Sequence, residues 1–349
     1  MKKNLLLLLI AVLSLSGCST DYELLKSADG VILTADSSAK AIGQTITFTV
    51  KDNSGAELTS ESTLYANGQE IEGNTITSEQ VQNFTIRAKY IGVESDSLSV
   101  RFHDGSESNF VKRVLIEDYT GTWCGYCPRV AFGVEQAKAL SDKVVAVAIH
   151  RPSSNTSSPV YDPYNYDTSE LENTLDAEGY PKGFLNRKIQ WQFPEPEKIG
   201  QVIGLTQGNN PKMGLAMQTA VTGGTVNLDV KVKFAADFSN LKLVVYVLEN
   251  GLIYDQHNYT TYYDGVDILE DFEHNHVLRA VLTPLLGESI NSSESFVNNV
   301  FTRSFSIPVP SNVANAANME FVAFVVDAQG NAINVRQAGL NESQEFEEE

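Results

Sequence analysis

The pattern of apolar residues predicts a multidomain chain, α/β plus all-β, with one α/β module standing between two β-sandwiches. Three observations carry that expectation. Apolar residues alternate with period two from about Gly30 to Phe102. From Val111 the period changes, and short apolar runs take turns with helical stretches. Strand signals return from Pro211 to Leu340. With 349 residues, 42% of them hydrophobic and 20% charged, the chain has the length for several domains and a folding composition.

The charge balance narrows the partners. Against 25 Lys+Arg stand 44 Asp+Glu, a formal charge of −19. Nucleic acid needs a basic surface to release counterions, so DNA and RNA are excluded as partners. A broad electrostatic grip on anionic lipid is excluded for the same reason. The first residues supply another route to a membrane. Lys2 and Lys3 precede an apolar run from Leu5 to Leu13, too short for a permanent span, and Leu15-Ser16-Gly17-Cys18 follows. That ending resembles the lipobox of bacterial lipoproteins. The resemblance implies a signal peptide over 1–17, diacylglycerol on Cys18, a tether over 18–27, and a lipid anchor in the outer membrane whose facing is left open.

In the first module, Ile46, Phe48 and Val50 share one face of a strand. Phe84, Ile86, Ala88 and Tyr90 share another, as do Leu98, Val100 and Phe102. Turn signals at Asn53-Ser54-Gly55, Asn67-Gly68 and Gly73-Asn74 separate them. Short strands at this spacing read as a small β-sandwich over 28–102, similar to the immunoglobulin-like spacers of bacterial surface proteins. A polar linker, residues 103–109, follows.

The expected α/β module covers 110–208. Val114-Leu115-Ile116 is a short strand, and Pro128–Leu140 a helix whose first turn suits proline. Six apolar residues, Val144–Ile149, suit a strand buried on both faces. After a long loop, Arg151–Tyr166, come a helix over 168–177, a short strand through Phe184 and Leu185, and a helix over 195–205.

Cysteine counting places the chemistry. Of three cysteines, setting aside Cys18 leaves Cys124 and Cys127, spaced Cys-x-x-Cys. Zinc would need two further ligands and no second cysteine pair supplies them, so a redox dithiol is the better reading. No cofactor is called for.

Trp123-Cys124-Gly125-Tyr126-Cys127-Pro128 at a strand-to-helix junction, with Gly179-Tyr180-Pro181 before a later strand, resembles the thioredoxin fold. Asp118 stands six residues before Cys124, where that family keeps a buried acid, and Pro181 matches its cis-proline. The Gly-Tyr between the cysteines is similar to that of periplasmic disulfide isomerases and departs from thioredoxin's Gly-Pro. More narrowly, Val114–Pro128 and Phe272–Arg279 resemble the outer membrane protein 28 (Omp-28)-related lipoproteins of Bacteroidetes.

At a helix start, the sulfur of Cys124 lies near unpaired backbone N–H groups, which favour the attacking thiolate. Cys124, on the exposed side, then attacks, Cys127 resolves, and Asp118 either takes the Cys127 proton or is a satisfied carboxylate at a strand end. Trp123, Tyr126, Tyr180 and Pro181 form the expected substrate-binding surface, and Tyr161, Tyr164 and Tyr166 of the long loop are candidates for a groove beside it.

From Val226 to Phe234 apolar and polar residues alternate, and Leu241–Leu248 and Phe321–Val326 are buried-type runs, read together as a second β-sandwich over 211–340 with an irregular middle from Tyr254 to Asp271. His274 and His276 would share a strand face; a metal held by them with His257 is the lesser reading, and no metal is assigned. An acidic tail, 341–349, reads as disordered. Two functions remain open. One is an envelope-anchored thiol–disulfide oxidoreductase or isomerase, its partners protein thiols and disulfides and an upstream redox protein. The other is an outer-membrane binding or scaffold module with a static bridge.

Overall fold

The computed structural model describes residues 30–105, 108–177 and 179–349. The lipobox, Cys18 and the tether lie outside the described residues.

Residues 32–103 build two sheets around one core. Ile32–Ala35, Thr45–Lys51 and Thr75–Thr77 form a three-stranded sheet. Ala39–Ala41, Leu98–His103, Gln82–Tyr90, Thr63–Ala66 and Gln69–Ile71 lie in that order in a second sheet, with Val93–Glu94 at its edge. The alternating residues fill the space between: Ile46, Phe48 and Val50 meet Ile86, Ala88, Val100 and Phe102, all fully buried or nearly so. A strand with one polar face can bury only every second residue, which is why the pattern was readable.

The remainder overturns the expected separation into an α/β domain and a second sandwich. One nine-stranded sheet runs Ile189–Gln190, Lys182–Leu185, Val114–Thr120, Val144–His150, Val277–Val281, Leu241–Glu249, Met319–Val326, Ala332–Ala338, with Glu288–Ile290 beside the start of Leu241–Glu249. It crosses the predicted boundary where Ala148 pairs with Val277. There is thus no self-standing thioredoxin-like domain among the described residues. Among the described residues, 25 strands accompany three α-helices of 13, 7 and 7 residues, and the fold is mainly β.

The physical reason lies in the runs themselves. Val144–Ile149, Leu243–Leu248 and Phe321–Val326 are apolar at consecutive positions, as a strand covered on both faces requires, whereas a sandwich strand alternates. On one face Leu115, Tyr119, Val145, Val147, Tyr246, Leu248 and Phe324 share a core that runs the width of the sheet. On the other, helices Pro128–Leu140 and Ile199–Leu205 and the buried Trp191 cover Val114, Ile116 and Ala146. A three-stranded sheet of Met213–Thr222, Thr225–Phe234 and Val300–Pro308 covers Leu243, Val245, Phe321 and Ala323.

A buried ion pair inside the expected α/β module is joined across the predicted boundary by Tyr246. The Arg187 guanidinium donates to Glu117 at 3.1 Å, and the Tyr246 hydroxyl donates to the same carboxylate at 3.0 Å. Arg187 and Glu117 are almost wholly buried. Removing one partner of such a pair typically costs about 3–5 kcal/mol, because the other charge is left unpaired in the interior.

The acidic tail is not loose. Val111 N–H donates to the Glu347 carbonyl, Glu349 N–H to the Asn109 carbonyl, and Arg113 grips Glu347 through Nε at 2.9 Å and Nη2 at 2.7 Å. Phe346 packs edge-on against Phe110 with ring centres 6.4 Å apart. A negative run without basic residues of its own reads as disordered; Arg113 and Lys233, brought from far upstream, and Arg336, just before the tail, compensate it.

Candidate functional site

Strand Val114–Thr120 ends at Gly121 because the chain must turn to return as a helix over the sheet. Cys124 N–H donates to the Gly121 carbonyl at 3.0 Å and Cys127 N–H to the Cys124 carbonyl at 3.2 Å, two successive turns that lead into Pro128–Leu140. Cys127 caps that helix and Pro128 opens it, where no N–H is needed. The two cysteines form a disulfide. Cys124 is 5% exposed and Cys127 1%. The expectation of an accessible Cys124 sulfur therefore needs correction.

A segment far down the chain does the covering. The Gln256 amide donates to the Cys124 carbonyl at 3.0 Å and to that of Gly121 at 3.3 Å. His257 N–H donates to the Thr122 carbonyl at 2.9 Å and Tyr259 N–H to that of Gly125 at 2.6 Å. The Tyr259 ring lies against Gly125 so closely that a Cβ there would stand 2.2 Å from it. Tyr262 stacks on Phe132 at 4.7 Å, and the Tyr263 hydroxyl donates to Glu135 at 2.8 Å. Residues 256–263 thus form a strap across the motif and the first turns of its helix. Sequence reasoning left this stretch as an irregular middle. Its one signal was Tyr254, Tyr259, Tyr262 and Tyr263 crowded into a loop that otherwise reads as polar.

The expected site residues disperse. Trp123 donates its indole N–H to the Arg151 carbonyl at 2.6 Å and meets Tyr180 edge-on at 5.8 Å. Tyr180 donates to Glu172 at 2.6 Å, and the Tyr180–Pro181 peptide bond is cis. Tyr126 is 56% exposed, its ring edge-on to Tyr259. The loop tyrosines serve packing: Tyr164 meets His150 and His274 and donates to the Ile253 carbonyl, while the Tyr166 hydroxyl accepts from Val281 N–H.

Asp118 is buried, and its Oδ1 has no hydrogen-bond partner among the described residues. It is therefore not the satisfied strand-end carboxylate. Burial, with Glu195 nearby, raises its pKa well above the usual carboxylate range against the opposing pull of Arg129, so the group favours its neutral form. Asp118, Thr120 and Cys127 line one cavity of about 310 Å³ between helix, sheet and the segment Phe272–His276.

The three downstream histidines do not assemble. His257 is exposed. His276 lies between Lys138 at 2.7 Å and Glu320 at 2.9 Å. His274 packs against the His150 ring at 5.1 Å, and burial together with His150 lowers its pKa to about 3. A pair that sequence reasoning missed is His150 with Asp162, 2.9 Å apart and both buried. Burial would raise the Asp162 pKa, but His150 and the Thr122 and Tyr164 N–H groups together bring it below the ordinary value.

Comparison with known proteins adds the following. The family model described as Outer membrane protein Omp28 matches residues 168–344. None of the curated proteins matches the chain. The solved structure of HBP35 of Porphyromonas gingivalis is similar at 20% identity and TM-score 0.51, over 68% of this chain and 78% of that one, a likeness of fold. A domain of the outer membrane lipoprotein Omp28 from Porphyromonas gingivalis is 20% identical over 38% of this chain and 91% of that one, with TM-score 0.25. A protein of Agrobacterium tumefaciens is 14% identical over 66% of this chain and 96% of that one, with TM-score 0.41.

Proposed function

The chain belongs to the outer membrane protein Omp28 family, and from that premise we propose that it is a lipid-anchored binding and scaffold protein of the outer membrane whose Cys124–Cys127 bridge is structural. The observation that carries this reading is the strap: Gln256, His257 and Tyr259 hydrogen-bond to the backbone from Gly121 to Gly125. Exchange requires a thiolate to reach a disulfide sulfur, and here both cysteines are buried. The bridge fixes the turn on which the strap is seated, so removing it would loosen the helix start and the strap together. Cys18 is the attachment point in this reading.

The test is the reduction potential of the bridge in the full chain. A structural bridge gives a value below about −300 mV. A value between about −270 and −120 mV, with rapid exchange against a protein disulfide, would overturn the reading and favour the oxidoreductase or isomerase instead. The observation on that side is Asp118, orphaned beneath Cys127 in the same cavity.

A further inference from the structure

Protein interiors hold few voids larger than a water molecule. The cavity beside Cys127, at about 310 Å³, is far larger than such voids and is partly open to solvent. Pro128, Ala131 and Val134 line it from the helix, together with Glu135 and Lys138, Ala146 and Ala148 from the sheet, and Phe272 and His274 from the segment that flanks it. An apolar void of about 150 Å³ suffices for benzene, so this one admits a molecule of two rings. One wall is itself made of rings: Phe272 lies 5.0 Å from His274, and His274 lies 5.1 Å from His150.

Into this mainly apolar space Asp118 brings a carboxyl group whose Oδ1 is buried without a partner among the described residues. A buried polar atom left unsatisfied costs about 1–3 kcal/mol, a cost a ligand can relieve. In its neutral form the carboxyl is an O–H donor, which calls for an acceptor. The acidic chain disfavours an anion, and the ring wall favours a flat apolar body.

We propose that this cavity binds a small, neutral, two-ring aromatic molecule carrying a carbonyl, whose oxygen accepts a hydrogen bond from Asp118. The proposal names a ligand class for the binding role above and rests on that role for its purpose. Its test leaves the bridge oxidised, so its failure is distinct from a failure of the structural reading of the disulfide.

The probe is 6-propionyl-2-dimethylaminonaphthalene, whose fluorescence reports both polarity and hydrogen bonding at its carbonyl. Titrated with the full oxidised chain, it gives a saturable blue-shifted signal. Ala131→Phe, a substitution at a half-buried position of the lining, abolishes the signal. Asp118→Leu weakens binding about tenfold, while the carbonyl-free 2-dimethylaminonaphthalene binds wild type and variant alike. Absence of a saturable signal with wild type, a signal that survives Ala131→Phe, or equal losses for both probes in Asp118→Leu would overturn the proposal.

Discussion

His274 is a neutral imidazole throughout the physiological range. Phe272, His150 and Tyr164 surround its ring, and its Nε2 donates to the Tyr254 carbonyl at 3.2 Å. In the unfolded chain it protonates near pH 6.5, in the native chain only near 3. The native state therefore binds fewer protons between those values, and the stability is fully present above 6.5 and lost as pH falls toward 3. That loss amounts to about 1.4 kcal/mol per pH unit. His274→Phe keeps a ring in place and removes the titration. Urea unfolding midpoints at pH 7, 6 and 5 should fall less steeply for the variant than for wild type, and equal slopes would show that His274 does not titrate in this way. None of this was legible in the sequence. Cys124, Cys127 and Asp118 were, because they lie within one strand and one turn. The surroundings of His274 come from three segments far apart in the chain.

Among the elements, helix Pro128–Leu140 was fully legible, since its proline start and its Val130, Val134 and Ala137 face are local facts. Helix Ser169–Leu175 came out shorter at both ends than expected, stopping where Asp176 takes a left-handed φ of 54°. The strap was not legible, because its hydrogen bonds reach the backbone at Gly121–Gly125, and backbone partners leave no trace in residue type. Gly125 is the exception, a position where Tyr259 leaves no room for a side chain. Gly125→Ala should therefore displace the strap and speed reduction of the bridge by dithiothreitol about tenfold by admitting the reductant. Tyr259→Ala should do the same without the clash. Unchanged rates in both would mean that the strap is not what guards the sulfurs.

At the scale of the molecule, the two kinds of apolar pattern were visible and one was assigned to the wrong neighbour. Alternation in residues 46–102 correctly read as strands with one wet face. The continuous runs at Val144–Ile149 and Leu243–Leu248 reported burial on both faces, yet nothing in a run names the strand beside it, so the junction of Ala148 with Val277 stayed hidden. The tail was misread for a similar reason, two of its cations, Arg113 and Lys233, being distant in sequence. Deleting residues 342–349 removes the Phe346–Phe110 contact, the Arg113–Glu347 fork and the backbone bonds to Asn109 and Val111. Exposed ion pairs add little, so the aromatic contact and the buried backbone groups dominate. The truncated protein should melt about 3 °C or more below the full chain by calorimetry; an unchanged Tm would mark the tail as an ornament.

The junction of Val144–His150 with Val277–Val281 also bears on delivery to the envelope. A polypeptide that emerges amino end first exposes the bare edge of Val144–His150 until its complement, much later in the chain, has crossed. Distant pairings of this kind form slowly and leave sticky intermediates in the meantime. The interval between the two crossings is thus the time during which this protein most needs a chaperone in transit.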